Sequence, residues 1–232
     1  MLRSKNRRIL ILALVLLAVM TAGATLAYFT DQHEAVNTFT VGNLKINLTE
    51  EWNPEDGEDM TPGDTVIKEP IVTALSGDSY MRLLMTFIDS DTNQKIPYGS
   101  ARWNKIYATL VYDPNKTHVI PGDKYAESDI TGMISGGMIA RYNTSLYFQG
   151  AVVADTVHYY YKNVSAVSPR SQNIFYEGDV APFITNVVIP NDWDEADIAI
   201  LGEYKITFKA EAIQSSGFVG YTDAFIALDA AV

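Results

Sequence analysis

Tyr204-Lys205-Ile206-Thr207-Phe208-Lys209-Ala210-Glu211-Ala212 alternates apolar and polar side chains without a break. This period of two puts one face of a β-strand in a core and leaves the other in water. A strand of that kind needs a second layer to bury its apolar face, and the preceding chain supplies the material. Tyr80 to Ile88 is apolar on both faces except at Arg82 and Thr86, the pattern of a central strand. Leu44, Ile46 and Leu48 alternate with Asn43, Lys45 and Asn47, giving a half-buried strand that ends near Glu50. After the Pro62-Gly63-Asp64 turn, Thr65 to Leu75 is rich in β-branched residues, and Pro70 marks an edge or a bulge. Met138 to Val153 and Thr156 to Val164 read as two further strands. The second shows Val157, Tyr159 and Tyr161 on one face and His158 and Tyr160 on the other. Ala181 to Ile184 leads into Val187-Val188-Ile189.

The period changes once. Trp103, Ile106, Tyr107, Leu110 and Val111 fall on one helix face, with Ser100 placed as N-cap and Pro114 beyond the end. A second helical turn is expected near Glu127 or Ser128, before the irregular Gly132, Gly136 and Gly137, and Asn191 or Asp192 is placed to cap a turn through Asp197. The expected fold is therefore mainly β, a sandwich with one or two helical insertions, the main one around residues 100–135. No repeat period is visible.

The first residues carry a different message. Arg3, Lys5, Arg7 and Arg8 precede twelve unbroken apolar residues, Ile9 to Met20, and Thr25-Leu26-Ala27 is a small-residue exit. That is the composition of a secretory signal helix cut between Ala27 and Tyr28. The competing reading is a retained membrane anchor over Ile9–Phe29, since about 20 apolar residues span a bilayer. Basic residues on the inner side place the remainder outside the cytoplasm in either case. The expected organisation is a signal peptide over 1–27, an extended arm over 28–43, and one sandwich domain over 44–232. In the arm, Tyr28, Phe29, Val36, Phe39 and Val41 have too little apolar context to bury themselves locally.

Three stretches resemble one family. Ala27-Tyr28-Phe29-Thr30-Asp31 followed by Asn37-Thr38-Phe39-Thr40-Val41-Gly42-Asn43-Leu44, then Thr61-Pro62-Gly63-Asp64-Thr65-Val66 with Lys68, Pro70 and Val72, and finally Tyr204 to Thr207 with Ala210 to Gln214 are similar to the camelysin and TasA-like secreted proteins of Gram-positive bacteria. The resemblance implies a jelly-roll sandwich and a SipW-type signal peptidase as a processing partner. It further implies a homopolymer built as fibres of a biofilm matrix or cell surface, accessory matrix proteins, and assembly by donor-strand exchange through Tyr28, Phe29, Val36, Phe39 and Val41. Part of the family is credited with metallo-endopeptidase activity, which is the alternative function. A non-polymerising surface adhesion module is the third.

Bulk properties narrow the field. Four of the 17 basic residues lie in the leader, so the other 205 residues carry 13 basic against 28 acidic side chains, a net of −15. Such a surface disfavours nucleic acid as a partner and makes copies repel one another in a salt-dependent way. There is no cysteine, which removes disulfides and cysteine-linked lipid together. The histidines are His33, His118 and His158. His33-Glu34 is not continued into the H-E-x-x-H pattern that brings two rings to one zinc, and no G-x-S-x-G elbow is present. Asp89-Ser90-Asp91-Thr92-Asn93 begins like an EF-hand loop but has Gln94 at the glycine position and Ser100 at the closing glutamate, so a hairpin-like loop is expected there. The residues thus predict no catalytic group, no cofactor and no metal.

Overall fold

The computed structural model describes residues 44–52, 57, 60–112, 142–162 and 173–231. Its central sheet has four antiparallel strands in the order β10-β4-β7-β6, formed by Tyr204–Gln214, Ser79–Asp89, Thr156–Tyr161 and Tyr147–Val153. The alternation read from the sequence sets its faces. Met81, Leu83, Met85 and Phe87 of β4, Val157, Tyr159 and Tyr161 of β7, and Ile206, Phe208, Ala210 and Ala212 of β10 are all buried in one core. β6 begins only at Tyr147, because Asn143 makes a turn before it: its carbonyl accepts from Leu146 and Tyr147 N–H at 3.1 and 2.9 Å. The expected start at Met138 lies outside the described residues, as do Glu127, Ser128 and the glycines after them.

The facing layer is a bent ribbon. β2 (Thr65–Ile67) and β3 (Glu69–Ser76) run into one another through Lys68, and opposite them β8 (Val180–Pro182) runs into β9 (Asn186–Val188). The ladder holds through the bend, with Lys68 N–H on Thr185 O at 3.1 Å and Phe183 N–H on Pro70 O at 3.0 Å. β1 (Lys45–Glu51) flanks β3, and β5 (Leu110–Val111) flanks β9. Pro70 stands in the middle strand of β1-β3-β8, opposite Glu50, and not on an edge. It is tolerated because its missing N–H falls beside Phe183, where the ribbon turns and β8 has already ended. Two antiparallel layers around one core bear out the mainly β sandwich.

Helix α1 (Ala101–Ala108) starts where the sequence places it. Ser100 Oγ accepts from Trp103 N–H at 3.1 Å, and Trp103, Ile106 and Tyr107 face the core. It ends one turn earlier than its apolar pattern implies. Thr109 Oγ1 donates to Ile106 O at 2.7 Å, and Leu110 and Val111 leave the helix to pair with Val187 and Asn186. Helix α2 (Glu195–Leu201) is capped by Asp194, not by Asn191 or Asp192. Asp194 Oδ1 accepts from Ala196 and Asp197 N–H, and Asp197 Oδ2 accepts in return from Asp194 N–H at 3.1 Å. This closes a capping box with two carboxylates. A third helix, α3 (Tyr221–Asp229), has no counterpart in the sequence reading and covers the outer face of the central sheet.

The Asp89–Asn93 segment forms a hairpin-like loop. Asp89 Oδ1 accepts from the N–H and hydroxyl of Thr92 at 2.7 and 2.6 Å. Its other oxygen is paired with Arg102, whose remaining N–H groups reach Leu201 O at 2.6 Å and Glu203 O at 2.8 Å. The Thr92 hydroxyl first, and Arg102 next, hold the Asp89 carboxyl down to about 2. Because that lies below the value of an unfolded aspartate, about 3.9, the contribution to stability is complete above about pH 4 and is lost as the pH falls through about 2. The gap in urea midpoint between the wild type and Asp89→Asn is therefore expected to shrink between about pH 5 and about pH 2. A gap that stays constant would show that the carboxylate contributes nothing through its charge.

A candidate strand-accepting seam

The parity of the β10–β4 ladder is fixed by its end bonds. Ser90 N–H donates to Glu203 O at 3.1 Å and Ser215 N–H to Asp78 O at 3.0 Å. In the register pairing Tyr204 with Asp89 and Gln214 with Ser79, the odd-numbered residues of β10 therefore carry the bonds to β4. The backbone N–H and C=O of Ile206, Phe208, Ala210 and Ala212 turn away from the sheet, and these are the residues whose side chains enter the core. β1 has the same property. Phe183 N–H on Pro70 O and Gly178 N–H on Ala74 O turn the even-numbered residues of β3 toward β8. Ile71 and Thr73 therefore face Thr49 and Asn47, and the backbone of Ile46 and Leu48 points outward. β1 and β10 lie beside one another on the same side of the sandwich, one from each layer, and among the described residues no strand pairs with either outer edge.

A buried cation sits where these edges approach. Lys68 at the ribbon's bend is 2% exposed and binds Glu50 Oε1 at 2.7 Å. Its Nζ lies 4.6 Å from the centre of the Trp52 ring and 5.9 Å from that of Phe208. A lysine can be desolvated in this way only when a carboxylate and aromatic faces replace its water. Lys68 thus ties β1, through Glu50 and Trp52, to β10, through Phe208. Sequence reasoning treated Lys68 only as a motif residue, since an isolated lysine after a strand ordinarily reads as solvated.

The outer face of the central sheet holds a second charged group. Arg82 Nε bonds Glu211 Oε2 at 2.8 Å and Nη1 bonds Asp229 Oδ2 at 3.0 Å, while its guanidinium carbon lies 4.6 Å above the Phe225 ring. Arg82 holds the Asp229 carboxyl below its usual range. Burial pushes Glu211 up, but its bonds to Lys209 and Arg82 outweigh that and leave it lowered. His158 is buried on the same face, across from Leu84. Burial first, then Arg82, lowers its pKa.

The other sequence-predicted positions, Ala27, Tyr28, Phe29, Val36, Phe39 and Val41, lie outside the described residues, as do His33 and His118. Among the described residues no three His, Cys, Asp or Glu side chains are grouped to hold a metal, and no helix is long and apolar enough to cross a membrane.

Residues 5–94 match the sequence model of the camelysin metallo-endopeptidase family. Over that stretch the chain is camelysin-like. The match bears out the resemblance carried by the N-terminal and Thr61–Val72 motifs, and no curated protein matches the chain. The camelysin-like part includes β1, β2, β3 and β4, and so one edge of the seam and the strand that carries the other. Its Thr61-Pro62-Gly63-Asp64 motif is a turn closed by Asp64 Oδ2, which accepts from Thr61 N–H at 2.7 Å and its hydroxyl at 2.9 Å. Gly63 has φ +97, where any side chain is strained, and a Cβ there would come 1.9 Å from Asn191 Oδ1 and displace that side chain.

Proposed function

We propose that the mature chain is a secreted structural subunit that builds extracellular or cell-surface fibres, the N-terminal arm of one copy entering the seam between β1 and β10 of the next. The observation that supports this reading is the pair of outward-turned backbone edges on one side of the sandwich. An extended segment satisfies such an edge while lodging alternate side chains in the core behind it. Burying Phe29, Val36 and Phe39 contributes about 1.5–3 kcal/mol each, less the cost of ordering the arm. A head-to-tail contact of this kind grows filaments, and the net charge of −15 on the mature chain makes growth faster in salt.

Deleting Tyr28 to Asn37 from the mature protein tests the proposal. The variant is expected to stay folded and monomeric, with no fibres by electron microscopy under conditions where the intact mature chain forms them. Fibres in unchanged yield would remove donor-strand assembly.

The family's description favours a second reading, a surface metallo-endopeptidase. Its site would be assembled from His118, His158 and distant carboxylates, since no three such ligands are grouped among the described residues. It requires stoichiometric zinc and chelator-sensitive cleavage by the purified chain.

A further inference from the structure

The outward phase of β1 extends back to Leu44, the first described residue. Leu44 lies two residues before Ile46 and shares its phase, its N–H turned away from β3, and the side chains of both are 8% exposed, inside the core. Immediately before Leu44 stands Gly42-Asn43, a dipeptide of two-residue β-hairpins with glycine at the first turn position. Such a turn is closed by a hydrogen bond from the N–H of the residue after it to the C=O of the residue before it. The closing residue must therefore offer its N–H on the free side of its strand, as Leu44 does. A turn one residue later would require the N–H of Lys45, which faces β3.

The side chains fall into the same order. The turn sets Val41 opposite Leu44 and Phe39 opposite Ile46, and opposed residues share a face of a sheet, so both apolar side chains go to the core. Thr40 and Thr38 come opposite Lys45, which is exposed, and Asn47, which is half-buried. Farther out the fit ends, because Val36 would meet the exposed Thr49 and Glu34 would meet Glu51, a like charge directly opposite.

We propose that Thr38-Phe39-Thr40-Val41 of the same copy folds back through Gly42-Asn43 and pairs with β1, capping that side of the seam in the monomer, so that donation of the arm to a neighbour begins with the opening of this hairpin. The pairing stands on β1 alone, and its role in growth rests on the seam reading above. The tether selects this occupant. Two residues of linkage hold the segment at the edge, whereas a second copy has to reach the same edge from solution against a like charge of −15.

Amide exchange and an engineered cross-link in the monomeric mature chain test the pairing. The N–H groups of Phe39 and Val41 are expected to exchange at least about tenfold more slowly than those of Thr38 and Thr40, which face away from β1. The chain has no cysteine, so a pair can be introduced without competition. Thr40 and Lys45 would form a non-hydrogen-bonded pair, with Cα atoms about 4.5 Å apart, within reach of a disulfide. Thr40→Cys with Lys45→Cys is expected to close within one chain under oxidised glutathione, at a rate independent of protein concentration. Thr40→Cys with Thr49→Cys, out of register on the same face, is expected to stay open. The closed form should grow no fibres and regain growth on reduction, while the single-cysteine variants grow throughout. Uniform exchange over residues 38–41, equal cross-linking of the two pairs, or closure only between chains overturns the hairpin and leaves strand insertion to the deletion of Tyr28 to Asn37. Fibres in unchanged yield from the closed form overturn the capping. A mature chain that forms no fibres overturns the capping together with the seam reading, and exchange and cross-linking then decide the hairpin by themselves.

Discussion

Replacing Arg82 with alanine is expected to lower the unfolding free energy by about 3–5 kcal/mol, the largest single-residue effect anticipated for this fold. Arg82 is 3% exposed, and its guanidinium is held by Glu211, Asp229 and the Phe225 ring. Its removal leaves the half-buried Glu211 carboxylate with Lys209 alone as its cation partner and releases the C-terminal end of α3. Two measurements check this: the urea midpoint, and hydrogen exchange at residues 221–229, which should become fast while β4 and β10 stay protected. Arg82→Lys is expected to recover only part of the loss, because an ammonium cannot bridge two carboxylates with a planar fork. Asp229→Asn should cost less than about 1 kcal/mol, since its side chain is 55% exposed. A change within about 1 kcal/mol for Arg82→Ala would mean that the helix is held by its apolar contacts alone.

If the chain assembles by the proposed strand insertion, Ala210→Pro is expected to suppress fibre growth while leaving the monomer folded. The Ala210 N–H points into the seam and takes no part in the β4 ladder, so proline there costs the fold little but removes a donor and adds bulk where an incoming strand must bond. Lys209→Pro is the control, because the Lys209 N–H does bond β4 and its loss should destabilise the sheet by about 3 kcal/mol. Electron microscopy and the critical concentration read the outcome. At least a tenfold rise is expected for Ala210→Pro, and unchanged growth would show that the arm does not use the β10 edge.

The strands and their faces were legible because alternation is a local signal. β10 buried the face that its period of two assigned to the core, β4 is central as its two apolar faces imply, and Ser100 capped α1 as its spacing from Trp103 requires. What the sequence hid was tertiary. The apolar spacing of Leu110 and Val111 fits a helix, yet pairing with Val187 and Asn186 draws them into β5. α3 is only nine residues long, follows Gly220 without a side-chain cap, and earns its place by packing Ala224, Phe225 and Leu228 against Tyr80 of the sheet. Lys68 and Arg82 are buried through distant partners, Glu50, Glu211 and Asp229, that no local pattern reveals. The arm carrying the candidate site residues was recognised through family resemblance and not through any periodicity of its own.

Arg82 and Glu211, cross-strand partners at the centre of the main sheet, stand 129 positions apart. A chain delivered N-terminus first, from a ribosome or through a narrow pore, presents β4 long before the strand that completes it. β1 and β3 can pair early, but the core's longest ladder has to wait for residue 214. Closing so large a loop is slow compared with local pairing. The β10–β4 ladder therefore cannot complete the core until residues 204–214 are available.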